Sequence, residues 1–134
     1  MILNFLKGFQ VKGKRKATNF EYKILNGIKI HTIRWDAKLR WRKGRKIHFS
    51  TGSRTSKYNC FKEGLCTGTQ SINIENNEIF VDSVKLNEKE IALLAKNDGF
   101  DNVSDFWEWF NQYKPFTGVI IHWTDFRYDG MFKM

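Results

Sequence analysis

Alternation of apolar and polar positions predicts β-strands along much of this 134-residue chain. It is clearest from Thr69 to Ile74 and from Glu78 to Val84, and the Asn76-Asn77 pair between these segments favours a hairpin turn. The continuous apolar centre of the segment Gly118 to Tyr128 predicts a strand that is covered on both faces. Three further strands are expected to include Phe5 to Val11, Ile28 to Trp35 and Ile47 to Phe49.

Capping residues and helical spacing predict two or three short helices between the strands. The expected N-cap residues are Thr18 or Asn19, Asn87 and Asn102. Glu90 follows Asn87 at the spacing of a capping box, and Gly99 is expected to end that helix. In the last helix, aromatic side chains recur at the spacing of a buried stripe, and these are Phe106, Trp107 and Phe110.

The segments between these elements are expected to be loops. Thr51 to Gly68 is rich in Gly, Ser, Thr and Lys and has little periodicity, which predicts a long irregular loop of the kind that carries binding residues. Lys12 to Lys16 is a basic loop with a flexible Gly13, and it is a candidate phosphate contact. Five or six strands with two or three helices make a single α+β domain over residues 1–134, built as a small barrel or a strongly curved sheet.

The charge of the chain is divided unevenly along its length. Residues 1–67 carry 17 basic and 3 acidic side chains, whereas residues 68–134 carry 6 basic and 11 acidic ones, for a net charge of +9. Such a separation creates a region of positive potential that attracts polyanions, most naturally nucleic acid. An anionic protein partner and a solvated basic surface without a specific partner are the alternative interpretations.

Composition and cysteine count exclude several classes of protein. A chain with 41% hydrophobic residues and a single proline is globular rather than disordered. No apolar run approaches the ~20 residues of a membrane span, and no convincing signal peptide is present, so we expect a cytoplasmic protein without a membrane partner. Cys60 and Cys66 are too few for a disulfide scaffold. The histidines lie on separate predicted strands, so we expect no metal site and no cofactor.

The segment from Lys29 to Arg34 carries the candidate chemistry. On a strand, Thr32 and Arg34 point to the same face, so a hydroxyl and a guanidinium share one wall. Lys29 lies three residues before Thr32 and joins that wall only if the chain bends just after Gly27.

Aromatic and basic side chains are interleaved in and after this segment. That pattern is typical of a surface that stacks bases and binds a charged backbone, although core packing is the alternative role for the aromatic members. The predicted nucleic-acid-binding residues are Lys29, Arg34, Trp35, Arg40, Trp41, Arg42, Arg54, Lys57 and Tyr58.

The stretch from Lys29 to Arg34 also resembles the Lys-x-x-Thr-x-Arg signature that follows the first helix in the ASCH family. Further agreement covers most of the chain: Trp41 to Phe49 with Gly44 before a strand, the Asp98-Gly99-Phe100 turn before an aromatic helix, and the closing strand Val119 to Tyr128. The resemblance implies a PUA-like barrel whose cleft, between barrel and helices, serves RNA or modified nucleotides.

The same resemblance implies candidate catalytic residues. Some ASCH members are amidohydrolases that remove the acyl group of N4-acetylcytidine with a Lys, Thr and Glu set, and ribonuclease activity has been described for another. The Lys and Thr match Lys29 and Thr32, and Asp98 stands where the family has Glu. As an enzyme, the protein would use Thr32 as nucleophile, Lys29 as its activator and Asp98 for a proton at the leaving amine.

Binding of RNA or a modified nucleotide without turnover is the principal hypothesis. The alternatives are hydrolysis of an N4-acylated cytidine, cleavage of RNA, and docking of an acidic protein partner. Fold analogy alone does not decide among them, because function depends on the geometry of the site.

Overall fold

The computed structural model describes residues 1–113 and 115–129 as an α+β fold. Within those residues, ten strands form three sheets and are accompanied by three α-helices. The strands are β1 (Ile2–Asn4), β2 (Gly8–Val11), β3 (Lys14–Ala17), β4 (His31–Arg34), β5 (Lys46–Thr51), β6 (Asn59–Leu65), β7 (Gly68–Glu75), β8 (Glu78–Val81), β9 (Val84–Lys85) and β10 (Phe116–His122). The helices are α1 (Phe20–Leu25), α2 (Glu88–Asn97) and α3 (Val103–Phe110), followed by a short 3-10 helix at Asn111–Tyr113.

The largest sheet is antiparallel and has the strand order β4-β10-β7-β8-β9. Strand β10 lies between β4 and β7, and Ile120 and Ile121 at its centre are fully buried, as the apolar centre of this segment predicts. The strand is shorter than expected, since it ends at His122 and Tyr128 lies beyond it. A second sheet has the order β1-β5-β6, with β1 parallel to β5, and β2 pairs with β3 as a separate hairpin.

The predicted barrel is not formed by the described residues, because the sheets remain separate. The chain passes from β6 to β7 through Cys66 and Thr67, and here Thr67 N–H donates to the His122 carbonyl at 2.9 Å. This bond continues the pairing of β7 with β10 beyond Gly68 and His122, and no ladder joins the largest sheet to the β1-β5-β6 sheet in the described residues. The expectation of an α+β fold is confirmed, and the expectation of a closed barrel is wrong for the described residues.

The described residues form ten strands where five or six were expected. Two of the additional strands, β3 and β6, lie in segments that were expected to be loops. Strand β1 precedes the first expected strand, and a turn at Asp82 and Ser83 divides the expected strand Glu78 to Val84 into β8 and β9. Lys12 to Lys16 lies at the turn and in the second strand of the β2–β3 hairpin, and Thr51 to Gly68 contains β6. Strand β6 lies at the edge of its sheet, and most of its residues are exposed whichever face they occupy. A strand with little burial on either face has no apolar alternation, so its pattern resembles that of a loop.

The turns and caps follow the sequence closely. Asn76 and Asn77 have φ angles of 51° and 62°, as the tight turn between β7 and β8 requires. Asn87 and Glu90 form the reciprocal capping box of α2, and the Asn102 side chain accepts from Asp105 N–H at the start of α3. At α1 the side-chain acceptor is Thr18, whose hydroxyl faces Phe20 N–H at 3.4 Å.

One hydrophobic core packs the sheets against the helices. Phe106 and Phe110 of α3 are buried in it, as their spacing predicts, whereas Trp107 is half-buried. Trp41 is also buried, with 9% of its surface exposed. No helix in the described ranges is long and apolar enough to cross a membrane.

Candidate functional site

A cavity of about 790 Å³ is bounded by β4, the start of α1, the turn after α2 and the end of α3. Its lining residues include the aromatic residues Phe5, Phe20, Trp35, Phe100, Trp109, Phe110, Tyr113 and Phe116. They also include the polar residues Asn4, Lys29, Thr32, Arg34, Asp98 and Thr117. A volume of this size lies within the range of roughly 300–1,000 Å³ that is usual for small-molecule sites.

A bend in the backbone brings Lys29 to the same wall as Thr32 and Arg34. Gly27 has a φ of +72°, and the N–H groups of both Ile28 and Lys29 donate to the Lys23 carbonyl, at 2.8 and 3.0 Å. The chain therefore turns back over the end of α1 before β4 begins. The sequence-based condition for Lys29 to join the wall, a bend just after Gly27, is met.

Lys29 is buried against Asp98 at the floor of the cavity. Its side chain is 1% exposed, and Nζ donates to the main-chain carbonyl of Asp98 and, at 3.3 Å, to Oδ1 of the same residue. The ammonium also lies 4.4 Å from the centre of the Phe20 ring. Burial lowers the pKa of Lys29 to about 8, although the Asp98 carboxylate opposes the shift.

The turn at Gly99 allows this close approach. Gly99 has a φ of +94°, and a Cβ at this position would lie 2.9 Å from Cδ of Lys29 and 3.0 Å from the Phe20 ring. A side chain here would collide with Lys29 and with Phe20. It would also have to adopt a backbone conformation that is rare for residues other than glycine. The Asp98-Gly99 pair thus provides the carboxylate and the space for the lysine.

Two residues that the sequence did not identify as site residues support Asp98. His31 bonds to it directly, and Tyr128 bonds to His31. His31 Nδ1–H donates to Oδ1 of Asp98 at 3.2 Å, and the Tyr128 hydroxyl donates to His31 Nε2 at 2.7 Å. Burial lowers the pKa of His31 and raises that of Tyr128, so the neutral forms that these bonds need are favoured. Since Tyr128 is 97 residues from His31, only the tertiary structure reveals this pairing.

One oxygen of Asp98 remains available to a ligand. Both Lys29 and His31 donate to Oδ1, and none of the described residues donates to Oδ2. Because Asp98 lines the cavity, Oδ2 is an acceptor for an N–H or O–H group of whatever occupies it.

Thr32 and Arg34 form the neighbouring part of the wall. Arg34 Nε donates to the Thr32 hydroxyl oxygen at 3.3 Å, and Nη2 donates to the Asn4 carbonyl at 2.7 Å. Burial lowers the pKa of Arg34 to about 10, so the guanidinium stays charged at neutral pH. Among the described residues, Thr32 has no hydrogen bond with Lys29, whose Nζ donates to Asp98 instead. The wall therefore offers a fixed cation and a hydroxyl proton.

The other predicted nucleic-acid-binding residues do not line the cavity, apart from Trp35, which is 74% exposed at its edge. Arg40 and Arg42 are exposed on the loop before β5. Trp41 between them belongs to the core, which corrects its assignment, because a buried indole offers no ring face to a base.

Arg54, Lys57 and Tyr58 are exposed on the loop between β5 and β6. This loop starts next to the cavity, since Ser53 N–H donates at 2.9 Å to Oδ1 of Asn4, which lines the wall. The three side chains therefore belong to the surroundings of the cavity rather than to its wall.

Comparisons with protein-family models, with curated proteins and with solved structures find no match. The described residues also contain no group of three His, Cys, Asp or Glu side chains that could hold a metal ion. The cavity itself and the charges around it are therefore the features from which a function can be inferred.

Proposed function

We propose that this protein binds RNA, or a modified nucleotide, by taking one base into the cavity. The observation that carries the proposal is the composition of the wall, which combines aromatic rings with a fixed cation, a hydroxyl and a carboxylate oxygen without a donor among the described residues. Aromatic faces stack on bases, and stacking contributes about 1–3 kcal/mol per base. Polar groups beside the rings hydrogen-bond to the edge of an unstacked base.

The polar groups offer the two kinds of contact that a base edge needs. Thr32 and Arg34 supply donors, and Oδ2 of Asp98 supplies an acceptor. The cavity volume suits a single nucleotide and is too small for a duplex, so an unpaired base is the ligand that fits. The net charge of +9 attracts the phosphate backbone over longer distances.

Calorimetric titration of nucleoside monophosphates and of a short single-stranded RNA tests this proposal. Arg34→Gln is expected to weaken the binding of both ligands by on the order of tenfold, because a hydrogen bond to a charged group is lost in a partly dry cavity. Lys89→Gln removes an equal charge from the exposed face of α2 and serves as the matched control. Equal effects of the two substitutions, or no binding by the wild type, would contradict the proposal.

The family assignment belongs to the same proposal. We infer an ASCH-type domain with a PUA-like core, on the strength of the Lys29, Thr32 and Arg34 signature and of the cavity that these side chains share. The free thiols of Cys60 and Cys66 agree with the proposed cytoplasmic location.

Amide hydrolysis is the second candidate function, and one observation favours it: Lys29, Thr32 and Asp98 line the same cavity, and burial lowers the pKa of Lys29 to about 8. In this reaction neutral Lys29 takes the Thr32 hydroxyl proton while Oγ1 attacks the acyl carbonyl. The C–N bond then breaks, Lys29 gives the proton it took from Thr32 to the leaving amine, directly or by way of Asp98, and water hydrolyses the acyl-threonine.

Incubation with N4-acetylcytidine tests this second candidate. Release of acetate by the wild type and its loss in Thr32→Ala would support catalysis, and Asp98→Glu is expected to raise the rate if the shorter carboxylate limits the proton transfer. Binding of the compound without release of acetate would leave the protein as a binder. Release that Thr32→Ala does not change would exclude Thr32 as the nucleophile.

A further inference from the structure

Strands β2 and β3 form a two-stranded hairpin that has a basic tip and whose base adjoins the cavity. Their register pairs Gly8 with Ala17 and Val11 with Lys14, and the turn between them uses positive φ angles at Lys12 (51°) and Gly13 (79°). We call the exposed side chains of Lys12, Lys14 and Arg15 the basic tip. Among the described residues, none of the three forms an ion pair with an acidic side chain. The tip therefore presents uncompensated positive charge to solvent.

The hairpin is braced rather than free. Phe9 of β2 packs edge to face against Phe100 and Trp109, with ring centres 5.8 and 5.3 Å apart. Lys16 of β3 forms ion pairs with Asp101, at 3.0 Å, and with Asp105. An isolated two-stranded hairpin is marginally stable in water, so these contacts are what hold the basic tip in place.

The base of the hairpin is continuous with the cavity. Leu6 lines the cavity, and its carbonyl accepts the Thr18 hydroxyl at 2.6 Å, while the Lys7 carbonyl accepts Thr18 N–H at 3.0 Å. Two residues after Leu6, Gly8 leaves room for the Arg15 guanidinium, since a Cβ there would lie 2.6 Å from Cζ of Arg15. Phe100 and Trp109, which support Phe9, are themselves part of the cavity wall.

We propose that the basic tip binds phosphates of the same strand whose base enters the cavity, so that the ligand is a single-stranded polynucleotide rather than a free nucleotide. This inference rests on the proposed function and extends it to a second surface. The tip carries three positive side chains without acidic partners, and the contacts of the hairpin hold them near a cavity that suits a single nucleotide. A polynucleotide backbone carries one negative charge per nucleotide, so several of its phosphates can pair with these side chains. A free nucleotide has no chain with which to reach the tip.

The experiment compares two triple variants that both lower the net charge from +9 to +6. The first is Lys12→Gln with Lys14→Gln and Arg15→Gln, and the matched control is Lys85→Gln with Lys89→Gln and Lys96→Gln, on exposed side chains of β9 and α2. Affinity for a single-stranded RNA of about ten nucleotides and for a nucleoside monophosphate is measured between about 50 and about 200 mM salt. Thermal melting confirms that both variants fold.

The tip variant is expected to bind the oligonucleotide about tenfold more weakly at low salt and to reduce the slope of log K against log salt by about 2, because three phosphate contacts are lost at roughly 0.7 each. Its affinity for the monophosphate is expected to stay at the wild-type value. The control variant is expected to change the slope much less.

Equal losses in the two variants would overturn the inference, because net charge alone would then explain the binding. An unchanged oligonucleotide slope in the tip variant would overturn it as well, as would equally tight binding of a polyglutamate peptide. Should the monophosphate fail to bind while the tip variant still loses oligonucleotide affinity, the cavity proposal fails and the phosphate contact of the hairpin stands.

Discussion

The floor of the cavity and the basic tip of the β2–β3 hairpin both depend on lysines, but the two regions use their charges in different ways. Lys29 is 1% exposed and bonded to Asp98, which is itself held by His31. Lys12 and Lys14 are exposed and have no acidic partner among the described residues. A buried, bonded charge has a fixed direction and little sensitivity to salt, whereas an exposed charge acts over distance and is screened.

Under the proposed function, this difference gives the two regions separate tasks. The cavity floor would orient the ligand, because its polar atoms are fixed by bonds to one another before any ligand arrives. The tip would attract a polyanion and contribute affinity that salt weakens. Substitutions that remove charge should therefore affect folding at the floor and binding at the tip.

Among these substitutions, Asp98→Ala should cause the largest loss of unfolding free energy. It leaves the buried Lys29 ammonium without its carboxylate, and removal of one member of a buried pair costs about 3–5 kcal/mol of unfolding free energy. Asp101→Ala, which removes an exposed partner of Lys16 and Lys23, should cost no more than about 1 kcal/mol. Urea denaturation of both variants measures the contrast. Similar losses would mean that the Lys29–Asp98 pair is solvated in solution.

The buried Lys29 should make the free energy of unfolding depend on pH. Burial lowers the pKa of Lys29 from 10.5 to about 8, so between these values the unfolded chain binds more protons than the folded chain. The free energy of unfolding contributed by this group therefore rises with pH from about 8 to 10.5, by on the order of 3 kcal/mol.

Denaturation of the wild type and of Lys29→Met at several pH values measures this contribution. The wild type should show the rise between about pH 8 and 10.5, and Lys29→Met should not show it. Lys12→Met, at an exposed position, is the matched control and should follow the wild type. A difference between the wild type and Lys29→Met that does not vary with pH would show that the ammonium is not desolvated.

Gly99→Ala should have the next largest effect on stability. The new Cβ meets Cδ of Lys29 and the Phe20 ring at a φ of +94°, and we expect a loss of about 1–3 kcal/mol together with weaker ligand binding. At the tip, Gly13 has a φ of +79° but nothing lies within 4 Å of its Cβ position. Gly13→Ala should therefore cost only the backbone strain, about 1 kcal/mol, and leave monophosphate binding unchanged. Thermal melts and titrations of both variants make the comparison.

Local parts of the structure could be predicted from the sequence because their causes are local. The Asn87 capping box, the Asn76-Asn77 turn and the shared face of Thr32 and Arg34 each depend on a few neighbouring residues. Strand β6 was missed because an exposed edge strand has no apolar alternation, and sheet closure was wrongly expected because it depends on pairing between distant strands.

In the site, too, the features with local causes were predicted and those that depend on distant contacts were not. Gly27 indicated the bend that brings Lys29 to the wall of Thr32, and the turn at Asp98 was expected only from the untested family resemblance. The burial of Trp41 and the support of Asp98 by His31 and Tyr128 involve contacts between segments far apart in the chain, which short-range periodicity does not encode.

Tyr128→Phe should produce the smallest effect and the most specific one. It removes the hydroxyl that donates to His31 Nε2 and accepts from Asn97, while the ring keeps its packing against His31. We expect a loss of about 1 kcal/mol of unfolding free energy, since one buried acceptor loses its donor. Tyr22→Phe, at a residue that is 62% exposed, is the matched control and should change nothing.

The most informative measurement on this variant is the tautomer of the His31 ring rather than the free energy of unfolding. In the wild type, the carboxylate of Asp98 and the hydroxyl of Tyr128 fix the Nδ1–H tautomer, and burial keeps the pKa of His31 below its ordinary value. Without the hydroxyl, Nε2 loses its donor, so the nitrogen shifts of the ring should show a mixture of tautomers and monophosphate affinity should fall a few-fold. Unchanged ring shifts in Tyr128→Phe would mean that Asp98 alone orients His31. Tyr128 would then have no part in holding the floor of the cavity.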